Sequence, residues 1–230
     1  MRHKLFPWRI LGFLITLLLF LIVYPYLHQL HPKHILMTEG FFALLMAGGL
    51  LLFLQNKKRF SVFAILAILI LLGNWIANLT HELVVIQVVL LIEFVFFSGI
   101  LGAMVRFMFN QQKITLDKLL SAICAYLVLG MLFALIYTFI AVTFADAFFY
   151  TLPSAEPLGA AFPHPAFFAE ALYFSYVTLS TLGYGDWVPA LGPLKMIAAL
   201  EAIMGQLFLA ILIARLVGVH LLQNATKDKT

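Results

Sequence analysis

Few residues in this sequence have the type and spacing to do chemistry, and most of those stand alone. There is no serine, histidine and aspartate grouping of the nucleophilic kind, no phosphate loop and no cysteine–histidine cluster, so an enzyme is not expected. The one cysteine, Cys124, sits in an apolar run, which excludes an intrachain disulfide and reads as a small core residue. His28, His31 and His34 recur at i, i+3, i+6, but Pro32 interrupts the helix that would align them. No cysteine or paired carboxylate joins them, so solvated loop histidines are favoured over a zinc site. The string Thr178-Leu179-Ser180-Thr181-Leu182-Gly183-Tyr184-Gly185-Asp186 is different in kind. Its polar surface is backbone. A row of carbonyls aimed at one axis can replace the water around a dehydrated cation. Turning successive carbonyls the same way needs alternating backbone hands, which Gly183 and Gly185 permit because they lack a Cβ.

The elements that must position this string are set by composition. Apolar residues make up 64% of the 230, charged residues 10%, and mean hydropathy is +1.06. Soluble domains carry roughly 45–50% apolar and about 25% charged residues. This chain has too little polar surface to face water, so its solvent is lipid. At about 20 residues per spanning helix there is room for six or seven spans and almost no soluble domain. Apolar runs of that length fall at about 10–28, 35–54, 60–80, 83–109, 118–143 and 193–222. Polar breaks at Leu27–His34, Gln55–Arg59, Asn78–Glu82 and Asn110–Asp117 separate them. The interval 144–192 holds a proline-rich stretch, Pro153 to Pro165, then a segment from Phe167 to Ser180 that is too short to span. It reads as re-entrant, since irregular backbone at membrane depth survives only inside protein or beside a water-filled cavity. The N-terminus begins as a signal peptide would, but the apolar run continues to about Tyr26 without a small-x-small cleavage site, so an uncleaved span is expected.

A pI near 9.2 and a net charge of +4 do not point to nucleic acid here, because the basic residues lie in short loops and act as topology signals. With a cytoplasmic N-terminus, twelve of the fourteen basic residues fall on the cytoplasmic side and only Lys33 and Lys195 outside. That bias places both termini in the cytoplasm and brings the re-entrant segment in from outside. Trp8, Trp75 and Trp187 each lie near a predicted helix end, as interfacial anchors do.

Thr181 to Asp186, TLGYGD, resembles the TVGYGD selectivity filter of the potassium-channel superfamily, with Leu182 in place of Val. The resemblance covers residues 118–222. It implies that the carbonyls of Thr181, Leu182, Gly183 and Tyr184, with the Thr181 hydroxyl, line four stacked K+ sites. It also implies that Gly185, Asp186, Tyr173 and Thr178 support the filter, with the Tyr184 ring packed outward. A pore helix over about Pro165 to Ser180 should end at the filter, its partial negative charge favouring a cation in the cavity. Gly205, nineteen residues after Asp186, stands where the family commonly has an inner-helix hinge. Gln206, Leu209 and Ile213 would face the cavity or a gate, although Gln206 could instead bond a neighbouring helix. Four such loops are needed to close the cage, so a homotetramer is implied.

Departures from the family pattern are informative. A Trp pair commonly braces the filter aspartate, but here those positions are Tyr173 and Phe174. Phe174 cannot donate a hydrogen bond, so a brace on Asp186 must come from Tyr173, Trp187 or elsewhere. A pore-helix Glu found in some members is replaced by Val177, and the aromatic that supports external quaternary-ammonium block by Val188. Weak external tetraethylammonium block is therefore expected.

Six spans with a pore between the last two resemble the plan of voltage-gated channels. The fourth span, however, carries only Arg106 at its end and Glu93 mid-span. Each charge crossing 100 mV is worth about 2.3 kcal/mol, so steep voltage dependence is not expected. With about ten residues after His220, a nucleotide- or calcium-binding gating domain is not expected. Glu201, an acid in the outer half of a span, should sit behind the filter bonded to Thr178 or Ser175, in a structural or a modulatory role. Glu93 and Asn74 should hydrogen-bond within the helical bundle, and Thr115 should cap the fifth span.

These readings converge on an all-α integral membrane protein of six transmembrane helices with a re-entrant pore helix and filter loop. Residues 1–109 would form a peripheral bundle, 110–117 an interfacial linker, 118–222 the pore domain and 223–230 a cytoplasmic tail. The expected function is a homotetrameric K+-selective channel, multi-pass in the cell (inner) membrane. It needs no cofactor beyond the permeant ion, and has lipid but neither nucleic acid nor a small-molecule substrate as partner. A weakly selective cation channel and a non-conducting subunit of channel fold are the alternatives.

Overall fold

The computed structural model describes residues 6–30, 35–109, 115–144, 147–150 and 166–227. His31 and His34, the His28 side chain, and residues 110–114 of the expected linker lie outside the described residues. Long apolar runs in lipid must satisfy their backbone internally, so they form helices. These are α1 (Phe6–Leu30), α2 (Ile35–Leu51), α3 (Lys57–Thr80), α4 (Leu83–Phe109) and α5 (Leu116–Thr143), then α6 (Ala166–Leu179) and α7 (Gly192–Lys227). Five of them are long and apolar enough to cross a membrane.

At the second run the described helix is shorter than the expected span. α2 has 17 residues, about 26 Å of helix against roughly 30 Å of hydrocarbon. Beyond Leu51 the backbone tightens into i→i−3 turns: the Leu52 N–H donates to Gly49 O (3.2 Å) and the Phe53 N–H to Leu50 O (3.0 Å). α3 then starts at a proper cap, where the Asn56 side chain accepts from the Arg59 N–H at 3.2 Å, and stops at His81 in a left-handed conformation (φ 52). At Thr115 the extended backbone of a cap is present, but its side chain makes no capping bond; Asp117 does lie in the first turn of α5. α7 runs unbroken to Lys227, so the segment expected as tail from 223 is helical that far.

α5 is the central helix. Two thirds of its spanning stretch is buried (67%), against 11% for α3 and α7. α4 and α1 pack on it directly. Ser121 Oγ donates to Met104 O (3.4 Å), Gln87 Nε2 to Thr143 Oγ1 (3.0 Å), and Cys124 Sγ to Ile10 O (3.9 Å). The Tyr24 ring of α1 meets Phe168 of α6 edge-on at 5.6 Å. The bundle of the first four helices thus packs, through α1 and α4, against α5 and α6 of the same chain. Their outer faces carry Val62, Ile65, Ile68, Leu72 and Leu91, exposed and apolar, as a lipid-facing surface requires. Asn74 Nδ2 donates to Glu93 Oε1 at 3.0 Å, so these two polar groups satisfy each other inside the bundle.

The all-α expectation misses one feature. Strand β1 (Phe148–Tyr150) pairs antiparallel with β2 (Trp187–Pro189), with Phe149 opposite Val188. Three-residue strands have no readable period. The ladder brings the start of the 144–192 interval back onto the residues after the TLGYGD string. It also corrects the reading of Trp187, which is 4% exposed and packs on Phe148 (5.3 Å) and Phe167 (5.5 Å) rather than anchoring at an interface.

Candidate functional site

α6 ends at Leu179, and the string that follows is tied to its last turn. The Thr181 N–H donates to Thr178 O (2.9 Å) and the Leu182 N–H to Val177 O (2.9 Å); Ser180 Oγ donates to Tyr176 O (2.6 Å). Carbonyls left over at a helix C-terminus are thereby used. Beyond this point the backbone alternates hand. Thr181, Gly183 and Gly185 have φ of 60°, 59° and 75°, while Leu182 and Tyr184 between them are not in the positive region. Glycine takes this conformation freely, but a β-branched residue does not. Thr181 is therefore held there by its surroundings, and two contacts are visible: its N–H to Thr178, and its hydroxyl, which accepts from Gln206 Nε2 at 3.0 Å.

At the far end of the string Tyr173 Oη donates to Asp186 Oδ2 at 2.7 Å, and the Trp187 N–H donates to Asp186 Oδ1 at 3.0 Å. The Tyr173 hydroxyl, with help from this backbone N–H, holds the Asp186 carboxyl below the usual aspartate range despite some desolvation. The Tyr173 and Tyr184 rings lie nearly parallel, 6.5 Å apart. Phe174, unable to donate, packs edge-on against Tyr137 (5.0 Å) and Phe148 (5.2 Å). The string itself projects from the chain: Leu182 and Tyr184 are exposed.

On the inner side, Gln206, Leu209 and Ile213 are exposed and spaced three and four apart along α7. α7 approaches the end of α6 closely at Gly205, where a Cβ would run into the Leu179 carbonyl oxygen. Only a residue without a side chain fits there. Glu201 is fully buried, with Oε1 2.5 Å from Ser175 Oγ and Oε2 2.5 Å from Tyr137 Oη. Thr178, the other partner expected for Glu201, offers its carbonyl to Thr181 instead. Tyr137 and Phe148 went unnoticed in the sequence. They are far along the chain from their partners, and an aromatic in an apolar run carries no local signal of its contacts.

Five helices long and apolar enough to cross a membrane, with a short helix and a glycine-alternating string between the last two, describe a multi-pass membrane protein. Residues 121–220 match a family model described as ion channel. The chain is 37% identical over 105 residues to "Two pore potassium channel c" of Oryza sativa subsp. japonica, covering 43% of this chain and 22% of that protein. It is 41% identical over 64 residues to "Two-pore potassium channel 4" of Arabidopsis thaliana, covering 27% of this chain and again 22% of the relative. The matches thus span about a fifth of these relatives' length. No solved structure matches. The similarity to these ion channels thus lies in the segment from α5 to α7.

Proposed function

We propose that four copies of this chain form a K+-selective channel, with the carbonyls of Thr181, Leu182, Gly183 and Tyr184 and the Thr181 hydroxyl as the ion ligands. The observation that carries this reading is the alternation of backbone hand at Thr181, Gly183 and Gly185 directly after the short helix α6. Such alternation is what turns successive carbonyls to one side, where they substitute for an ion's hydration shell. Tyr173, Asp186 and the backbone of Trp187 brace the outer end of the filter, and Gln206 its inner end. Leu209 and Ile213 line the cavity below. Both termini are cytoplasmic in this reading, and α2 completes its crossing with the apolar turn Leu52–Leu54. The membrane is the cell membrane, and the ion moves down its own gradient without a cofactor.

Flux from liposomes holding the full chain, under separate K+ and Na+ gradients, tests the reading. Flux of K+ with little Na+ is expected. Equal flux of both would replace selectivity with a general cation pore, and no flux from an intact assembly would leave a channel fold without conduction. Gly183→Ala places a Cβ on a left-handed residue and should abolish K+ flux. Normal conduction in that variant would sink the ligand assignment.

A further inference from the structure

Behind the filter string, three oxygen–oxygen contacts converge on one buried carboxyl group. Tyr137 Oη is 2.5 Å from Glu201 Oε2, and Ser175 Oγ is 2.5 Å from Glu201 Oε1. The same Ser175 Oγ is 2.6 Å from the carbonyl oxygen of Gly130. Two oxygens this close need a hydrogen between them. Three contacts therefore need three hydrogens. Tyr137 has one to give, Ser175 has one, and the Gly130 carbonyl has none. The neighbouring phenols cannot supply the third, because Tyr126 Oη donates to Leu179 O (3.2 Å) and Tyr176 Oη to Leu127 O (2.6 Å). Only Glu201 is left to carry it.

We infer that Glu201 is held as the neutral acid, donating through Oε1 to Ser175, which donates onward to Gly130, while Tyr137 donates to Oε2. Its proton makes Glu201 a positioning residue that joins α7, α6 and α5 behind the filter. The bookkeeping closes: every hydroxyl in the chain of contacts donates once, and both carboxyl oxygens are bonded. An ionised Glu201 would leave one contact without a hydrogen. It would also place a charge where both Glu201 and Ser175 are fully buried, which is costly without a partner of opposite sign. The titratable groups facing Glu201 are Tyr126 and Tyr137 from α5 and Tyr176 from α6, all phenols, and no basic side chain among the described residues faces it.

Removing the proton has a defined structural result. The Ser175 hydroxyl turns to the carboxylate, Gly130 loses its partner, and the link from the re-entrant helix to α5 at this point is broken. The effect on conduction rests on the channel reading above; the protonation itself does not. Infrared spectra of the full chain in liposomes at neutral pH separate the two. A carboxylic-acid C=O stretch should be present in wild type and lost in Glu201→Gln. Loss of carboxylate bands instead would overturn the inference. If Glu201→Gln does not assemble, Tyr137→Phe serves: removing a donor from Oε2 should move the acid C=O band to higher frequency, and an unmoved band would overturn the inference. K+ flux adds a second readout. Glu201→Gln preserves every hydrogen bond of the neutral acid, so it should conduct at neutral pH and lose a wild-type decline in flux at alkaline pH that has single-proton steepness. Equal pH dependence in both proteins would overturn the positioning role. Absence of flux in wild type would defeat the channel reading and leave the infrared test standing.

Discussion

Tyr173 occupies a position from which a side chain can reach the outer end of the string, and its hydroxyl bonds Asp186 at 2.7 Å. Because this bond favours the ionised carboxylate, it adds stability above the usual aspartate range, and that stability disappears as pH falls through the depressed value. Tyr173→Phe removes the donor. Its expected cost at neutral pH is about 1 kcal/mol, the low end for a bond to a charged group because the pair is partly exposed. Thermal denaturation in detergent across pH checks this: wild type and variant should differ at neutral pH and converge in acid. A constant difference at all pH values would assign the effect to packing alone. At Gly130 the argument is steric. A Cβ there would meet the Tyr176 ring, whose hydroxyl is bonded to Leu127 O at 2.6 Å and cannot easily move aside. Gly130→Ala should cost about 1–3 kcal/mol, read as a lowered Tm; an unchanged Tm would show that the ring yields.

Among the elements, α7 is, with α3, the least covered by its own chain. Only 11% of its spanning stretch is buried by its own chain, and Met196, Leu200, Ile203, Leu207 and Ile211 are exposed alongside the face bearing Gln206 and Ile213. In contrast α5 has both sides covered, α4 and α1 on one and α6 on the other. A helix exposed on several faces in one chain is what a shared central pore requires, since each copy supplies one wall. The expected assembly is four copies. Mass measurement of the protein released from detergent micelles should give four times 25.8 kDa; an assembly ending at two copies would contradict the single-string, four-loop reading. The same element shows why sequence reasoning placed the spans well but not their ends. Hydropathy locates a helix interior, where lipid forces the backbone to bond itself. The end of α2 depends instead on local turns at Leu52 and Phe53, and the continuation of α7 to Lys227 has no apolar signature at all.

For the molecule as a whole, the first four helices pack together as a bundle beside α5. α4 carries Glu93, bonded to Asn74, and Arg106 in its last turn. One cation at the end of a helix moves little charge across the field. Single-channel recordings in planar bilayers should therefore show open probability changing weakly with voltage, by no more than about one elementary charge per subunit. A slope needing several charges would mean that a different element moves. The bundle packs on α5 of its own chain, and Arg215 near the inner end of α7 lies over the Phe109 ring at the end of α4, 4.5 Å from its centroid. α4 and α7 are therefore in direct contact at this point.

By itself the sequence determined the solvent, the number and order of the apolar helices to within one short span, the short helix before the string, and the string whose glycines allow alternating backbone hands. Each of these is a local property: a run of apolar residues, a proline-rich interruption, a glycine two residues from another. Tyr173 as the brace and Ser175 as a partner for Glu201 were also within reach, because neighbours along a helix and a known spacing limit the choices. Only the tertiary structure decided that Tyr137 closes on Glu201 across 64 residues, that Trp187 is buried against Phe148 and Phe167, and that α1 and α4 pack on α5 of the same chain. The physical reason is that these depend on which surfaces meet. In so apolar a chain nearly every surface is equally greasy, and only shape and a few buried hydrogen bonds select among them.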